Sequence, residues 1–111
     1  MLSPRIDLLP GTLEMLVLQT LAIGPQHGYG IARRIQSASR EVLHVEEGSL
    51  YPALYRMDKR GWLRSEWGPS EANRRARFYR LTPSGKRALE RQARDWERMA
   101  EAIGLVMKPQ G

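Results

Sequence analysis

The chain has 111 residues, 41% of them hydrophobic and 27% charged, and it contains no cysteine. One core is expected at this length; the apolar content excludes a disordered chain, and the missing cysteine excludes disulfides, thiolate metal sites and a cysteine nucleophile. The formal net charge of +6 favours an anionic partner. That charge is local: residues 73–94 carry eight basic side chains (Arg74, Arg75, Arg77, Arg80, Lys86, Arg87, Arg91 and Arg94) against Glu90 alone. A solvated arginine-rich face that only aids solubility is the alternative reading. From Met1 to Thr12 there is neither a basic start nor an unbroken apolar run, and no stretch approaches the ~18 consecutive apolar residues of a membrane span. A soluble, cytoplasmic protein without a membrane partner is expected.

Pro10-Gly11-Thr12 reads as a turn and cap, after which Leu13, Leu16, Val17 and Leu21 recur at helical spacing. Met15, Leu18 and Ala22 add a second apolar face, so this first helix should be buried on more than one side. Gly24-Pro25 stops it. After Gln26-His27-Gly28 a second helix is predicted, with Ile31, Ile35 and Ala38 inward and Arg33, Arg34 and Gln36 outward. Leu43 and Val45 alternate with polar neighbours in a brief extended link. Glu47-Gly48-Ser49 then opens a third helix in which Leu50, Ala53, Leu54 and Met57 share the inward face. Pro52 is placed near the first turn, where its missing amide costs nothing, and Gly61 closes the helix.

The period then changes. Two aromatic-rich runs, Trp62 to Trp67 and Ala76 to Leu81, flank Gly68-Pro69-Ser70-Glu71-Ala72-Asn73 and two arginines, which predicts a β-hairpin with a long tip. Thr82-Pro83 supplies a cap and a proline at the first helical position, so a last helix should run from there to about Met107. Along it Leu89, Ala93, Trp96, Ala100, Ile103 and Met107 repeat at steps of four and three, a seam of the kind two helices bury between them. A helix this long overreaches the core, and left in water the stripe would be a large apolar patch, so it is read as a dimerisation surface. The fold class is mainly α with a small β-hairpin (α+β), a winged helix-turn-helix with a long C-terminal dimerisation helix. Residues 1–82 form the DNA-binding part and 83–111 the dimerisation helix of the same compact unit.

Three segments carry a resemblance. His27-Gly28-Tyr29-Gly30-Ile31, Gly48-Ser49-Leu50-Tyr51-Pro52-Ala53-Leu54 and Arg77-Phe78-Tyr79-Arg80-Leu81-Thr82-Pro83-Ser84-Gly85 resemble, in order and spacing, the signature segments of the PadR-like regulators. The resemblance spans roughly Leu13 to Ile103, and the short C-terminal helix is similar to that of the compact subgroup. It implies a bacterial transcriptional repressor, homodimeric through its first and last helices, on an inverted-repeat operator in double-stranded DNA.

With the apolar face of the third helix turned inward, Ser49, Tyr51, Pro52, Tyr55, Arg56 and Lys59 face outward as DNA-binding candidates. Ser49, Tyr51 and Pro52 stand at the helix start, whose free amides attract phosphate. Arg56 and Lys59 hold the backbone, or Arg56 reads a guanine; Tyr51 and Tyr55 have amphipathic packing as their other reading. Arg74, Arg75 and Arg77, at the hairpin tip and the start of its second strand, are expected to reach phosphates or the minor groove, which ties affinity to salt. In some relatives an aromatic of the last helix lines a pocket for flat aromatic compounds, and Trp96 takes a comparable place; its alternative is to fill the dimer core.

No enzyme is expected. His27 and His44 lack a cysteine or paired carboxylate at metal-ligand spacing, Glu46 and Glu47 are adjacent, and Gly28-Tyr29-Gly30 lacks the context of a phosphate loop. Neither metal nor cofactor is called for. A winged helix used for protein contact is the second class of function, disfavoured by the polarity of Ser49, Arg56 and Lys59.

Overall fold

Helix α1 (Thr12–Ile23) starts after Gly11, whose φ of +86° suits a residue without a side chain, and the Thr12 hydroxyl donates to the Leu9 carbonyl at 2.7 Å. The computed structural model describes residues 6–9 and 11–109, so Pro10 of the expected turn lies outside the described residues. The helix buries Val17, Leu18 and Leu21 and half-buries Met15, but Ala22, expected on its second apolar face, is exposed. In α2 (Gly28–Ala38) Ile31 and Ile35 are buried as expected. Ala38 is not: it is the last helical residue, exposed where Arg40 and Glu41 turn the chain back through left-handed conformations. Arg34, expected outward, is half-buried, with its Nη1 shielded from water.

Helix α3 (Glu47–Lys59) packs Leu50, Ala53, Leu54 and Met57 inward with no exposed surface. Its end is a Schellman closure. Gly61, at φ +78°, donates to the Asp58 carbonyl and Trp62 to the Met57 carbonyl, at 2.9 and 3.0 Å. Pro52 departs from expectation, because with the helix starting at Glu47 it stands beyond the first turn. The amide it lacks would have met the Gly48 carbonyl, and the exposure of Gly48 leaves that oxygen to water.

Strands β1 (Ile6–Asp7) and β3 (Leu43–His44) pair in parallel, while β2 (Gln26–His27), β5 (Arg75–Leu81) and β4 (Leu63–Pro69) form an antiparallel sheet in that order. The sequence pattern gave no sign of β2. The hairpin is longer and its tip shorter than expected: Gly68 pairs with Ala76 and Pro69 with Arg75, leaving residues 70–74 as the tip. That tip is closed by Ser70 N–H to Arg74 O at 2.8 Å, with Asn73 at φ +57°. Trp62 falls outside β4 because its N–H is committed to closing α3.

Thr82 caps α4 (Pro83–Met107), its hydroxyl accepting from the Gly85 N–H at 3.0 Å. Gly85 packs beside the Trp62 carbonyl, where a Cβ would collide. The core holds Gly85, Ala88 and part of Leu89, and every described residue beyond Ala93 is exposed. The helix is therefore a projecting arm. The radius of gyration, 15.7 Å, exceeds the about 13 Å of a compact chain this long. Among the described residues the fold is thus α+β, four helices and a small antiparallel sheet with a long last helix, as expected.

Candidate nucleic-acid interface

Ser49, Tyr51, Pro52, Tyr55, Arg56 and Lys59 all lie exposed on α3. Tyr51, 47% exposed, is held from behind. A Cβ at Gly28 would come within 2.8 Å of its ring and hydroxyl, so the glycine at the start of α2 makes room for the tyrosine. Lys59 sets its ammonium 5.4 Å from the Tyr55 ring centre. Arg56 is drawn toward α1, where Glu14 accepts from its Nε at 3.4 Å and from Arg60 at 2.9 Å. The helix start carries exposed Glu46 and Glu47, which offset the attraction of its amides for phosphate.

The hairpin arginines divide by their neighbours. Arg77 donates to Ser65 Oγ at 2.8 Å and lies 3.7 Å from Asp58, tying the wing to the last turn of α3. Arg75 lies over the Trp67 ring, 5.2 Å from its centre. Arg74 makes no side-chain hydrogen bond or ion pair among the described residues, and both Arg74 and Arg75 are exposed. Between the wing and the starts of α2 and α3 runs a groove of about 580 Å³, lined by Tyr29, Tyr51, Trp67, Arg74, Arg75 and Tyr79 among others. The structure thus brings Tyr51 and the three wing arginines to one concavity. The other α3 candidates, Ser49, Pro52, Tyr55, Arg56 and Lys59, do not line it.

His27 joins the two sides of this groove. Buried at the base, it accepts from the Gly30 N–H through Nδ1 at 3.0 Å, capping α2, and sets Nε2 3.2 Å from Glu71 of the wing tip. Phe78 meets its ring edge-on at 5.3 Å. The Glu71 backbone amide and the His27 imidazole hold the Glu71 carboxyl below its ordinary range, while burial pushes the Tyr79 phenol up. Sequence reading missed His27, Glu71 and Trp67 as parts of the site. The available signal was the His27-Gly28-Tyr29-Gly30 run, whose two glycines meet Tyr51 and Gln26.

The stripe on α4 splits in two. Leu89 and Ala93 are half-buried on their own chain, whereas Trp96, Ala100, Ile103 and Met107 are exposed, Trp96 by 41%. Trp96 lines a groove of about 270 Å³ with Leu9, Met15, Gln92 and Met99, between α4 and the start of α1. No described helix is long and apolar enough to cross a membrane.

The family model described as "Transcriptional regulator PadR-like family" matches residues 17–91. A transcriptional regulator of Mycobacterium tuberculosis is 38% identical over 82% of this chain and 81% of its own length. Among solved structures, a transcriptional regulator from Clostridium thermocellum superimposes with a TM-score of 0.80 at 30% identity, over 88% of this chain and 95% of that one. A PadR family transcriptional regulator from Eggerthella lenta does so with a TM-score of 0.76 at 29% identity, over 90% and 85%.

Proposed function

Since the chain belongs to the PadR-like family of transcriptional regulators, we propose that it is a repressor acting as a homodimer on an inverted-repeat operator in the bacterial cytoplasm. The observation that carries the DNA contact is one concavity holding Tyr51 of α3 opposite Arg74 and Arg75 of the wing. In this reading α3 enters the major groove with Ser49, Tyr51 and Pro52 at base edges, with Tyr55, Arg56 and Lys59 toward the backbone. Arg74 and Arg75 neutralise flanking phosphates, and Arg77 braces the wing. The role is binding rather than catalysis, and it requires no cofactor.

Dimerisation is supported by the exposed half of α4. Ile103 is 53% and Met107 75% exposed, and Met99 and Val106 widen the apolar arc beyond the stripe. A second copy covering this arc and the groove beside α1 would remove a patch that water disfavours. Trp96 stands in that groove, so a flat aromatic effector entering there would meet the same seam that sets the spacing of the two reading helices.

Retention on duplex DNA at low salt, with release as salt rises, tests the DNA contact. Arg74→Ala is expected to reduce the log–log salt slope by about 0.9, the share of one phosphate contact. Sequence preference should be kept. A chain that ignores duplexes in dilute buffer would overturn the proposal.

A further inference from the structure

We propose that Trp67 is itself a DNA-contacting residue, an apolar plate that the wing presses against the deoxyribose walls and base edges of the minor groove; this rests on the DNA-binding reading above. The argument begins with strand alternation. On β4 and β5 the residues Leu63, Ser65, Trp67 and Pro69 share a face with Leu81, Tyr79, Arg77 and Arg75, opposite one another in register. The inner end of that face, Leu63 and Tyr79, is buried in the core. Followed outward, the same face leaves the core at Trp67, opposite Arg77 and one step from Arg75.

The tryptophan stays 58% exposed, on the wall of the groove that also holds Tyr51. The Arg75 guanidinium covers one side of the ring, which orients it without burying it. The other two tryptophans are placed differently: Trp62 is half-buried beneath Arg60 and Trp96 sits on α4. Charge complementarity selects the occupant. A ring flanked by Arg74, Arg75 and Arg77 faces a polyanion, and a duplex offers apolar sugar surface between its two phosphate rows. Proteins that enter minor grooves commonly set apolar side chains there beside their arginines. Arginines supply the salt-dependent share of affinity and the ring a share that salt does not screen.

That division gives the test. Binding of the full chain to one duplex is measured across a range of salt for the wild type, Trp67→Ala and Trp67→Phe. Trp67→Ala is expected to bind about tenfold more weakly at every salt, in parallel with the wild-type line, and Trp67→Phe to keep most of the affinity. Unchanged affinity would overturn the proposal. So would a loss expressed only as a shallower slope, which would mean that Trp67 acts through Arg75. Should Trp67→Ala fail to fold, fluorotryptophan-labelled protein gives three fluorine signals, and Trp67→Phe assigns the relevant one. That signal is expected to shift most on adding duplex, and a signal unmoved at saturation sinks the inference. A wild type that binds duplex while Trp67 stays unmoved leaves the DNA reading standing, whereas a wild type that binds no duplex removes both.

Discussion

A methyl group at position 28 would strike the Tyr51 ring, so the place of that ring over the start of α2 depends on a glycine in another helix. Tyr51 packs against the backbone of that glycine on one side, which narrows the places its ring can take and lowers the entropy lost when it meets a base edge. Tyr51→Ala is expected to weaken specific binding about tenfold, within the range of a good base contact, while circular dichroism and dimer mass stay unchanged. His27 shows what residue spacing hides. Its two ring nitrogens serve two elements, the N-terminus of α2 and the wing tip. The cap on Gly30 is local, but Glu71 lies 44 residues away, so the link to the wing is not readable from spacing. Glu71 gives this link a pH signature. Its carboxyl is held below its ordinary 4.5, so its contribution is fully present above that value and lost as pH falls through the lower, folded value. Glu71→Gln should therefore lower the urea midpoint at neutral pH and converge with the wild type in acid. A constant gap across pH would contradict the assignment.

The helices were legible because each depends on a pattern within its own stretch of chain. Leu50, Ala53, Leu54 and Met57 carry the inward face of α3, and Thr82-Pro83 fixes the start of α4 to the residue. The strands were less so. Residues 26–27 form β2 only because Phe78 and Tyr79 lie opposite them, a pairing between segments far apart in sequence. The hairpin register likewise depends on how the tip closes, so Gly68 and Pro69 read as loop although they are paired. That misreading also hid Trp67, whose face is known only once its cross-strand partner Arg77 is known. Junctions between elements impose the tightest constraints. At the α3–β4–α4 corner, a side chain on Gly85 would drive into the Trp62 carbonyl, a backbone atom that cannot swing aside. Gly85→Ala is expected to cost about 1–3 kcal/mol, read as a lowered urea midpoint, against a small gain for alanine at the open, helical Gly104.

For the molecule as a whole, the arm formed by α4 makes sense only with something laid against it. From Arg94 to Pro109 every described residue is exposed, Trp96, Met99, Ile103, Val106 and Met107 among them. An apolar arc of this kind is stable in water when a second copy covers it, and a two-fold axis then fixes the spacing of the two α3 helices. Ile103→Asp places a charge in that seam, far from the core. It is expected to yield folded monomers by light scattering, with helical content kept and operator binding largely lost. The stripe itself was readable from periodicity, but which part of it serves the chain's own core was not: Leu89 and Ala93 are half-buried on their own chain and the stripe residues beyond them are exposed. Selection of bound fragments from a random duplex pool tests the central claim most directly. Two copies presenting paired tyrosine and arginine surfaces should enrich an inverted repeat whose half-sites lie about 10 base pairs apart, or a multiple of that. Enrichment of a single unrepeated site, or of no sequence at all, would contradict it.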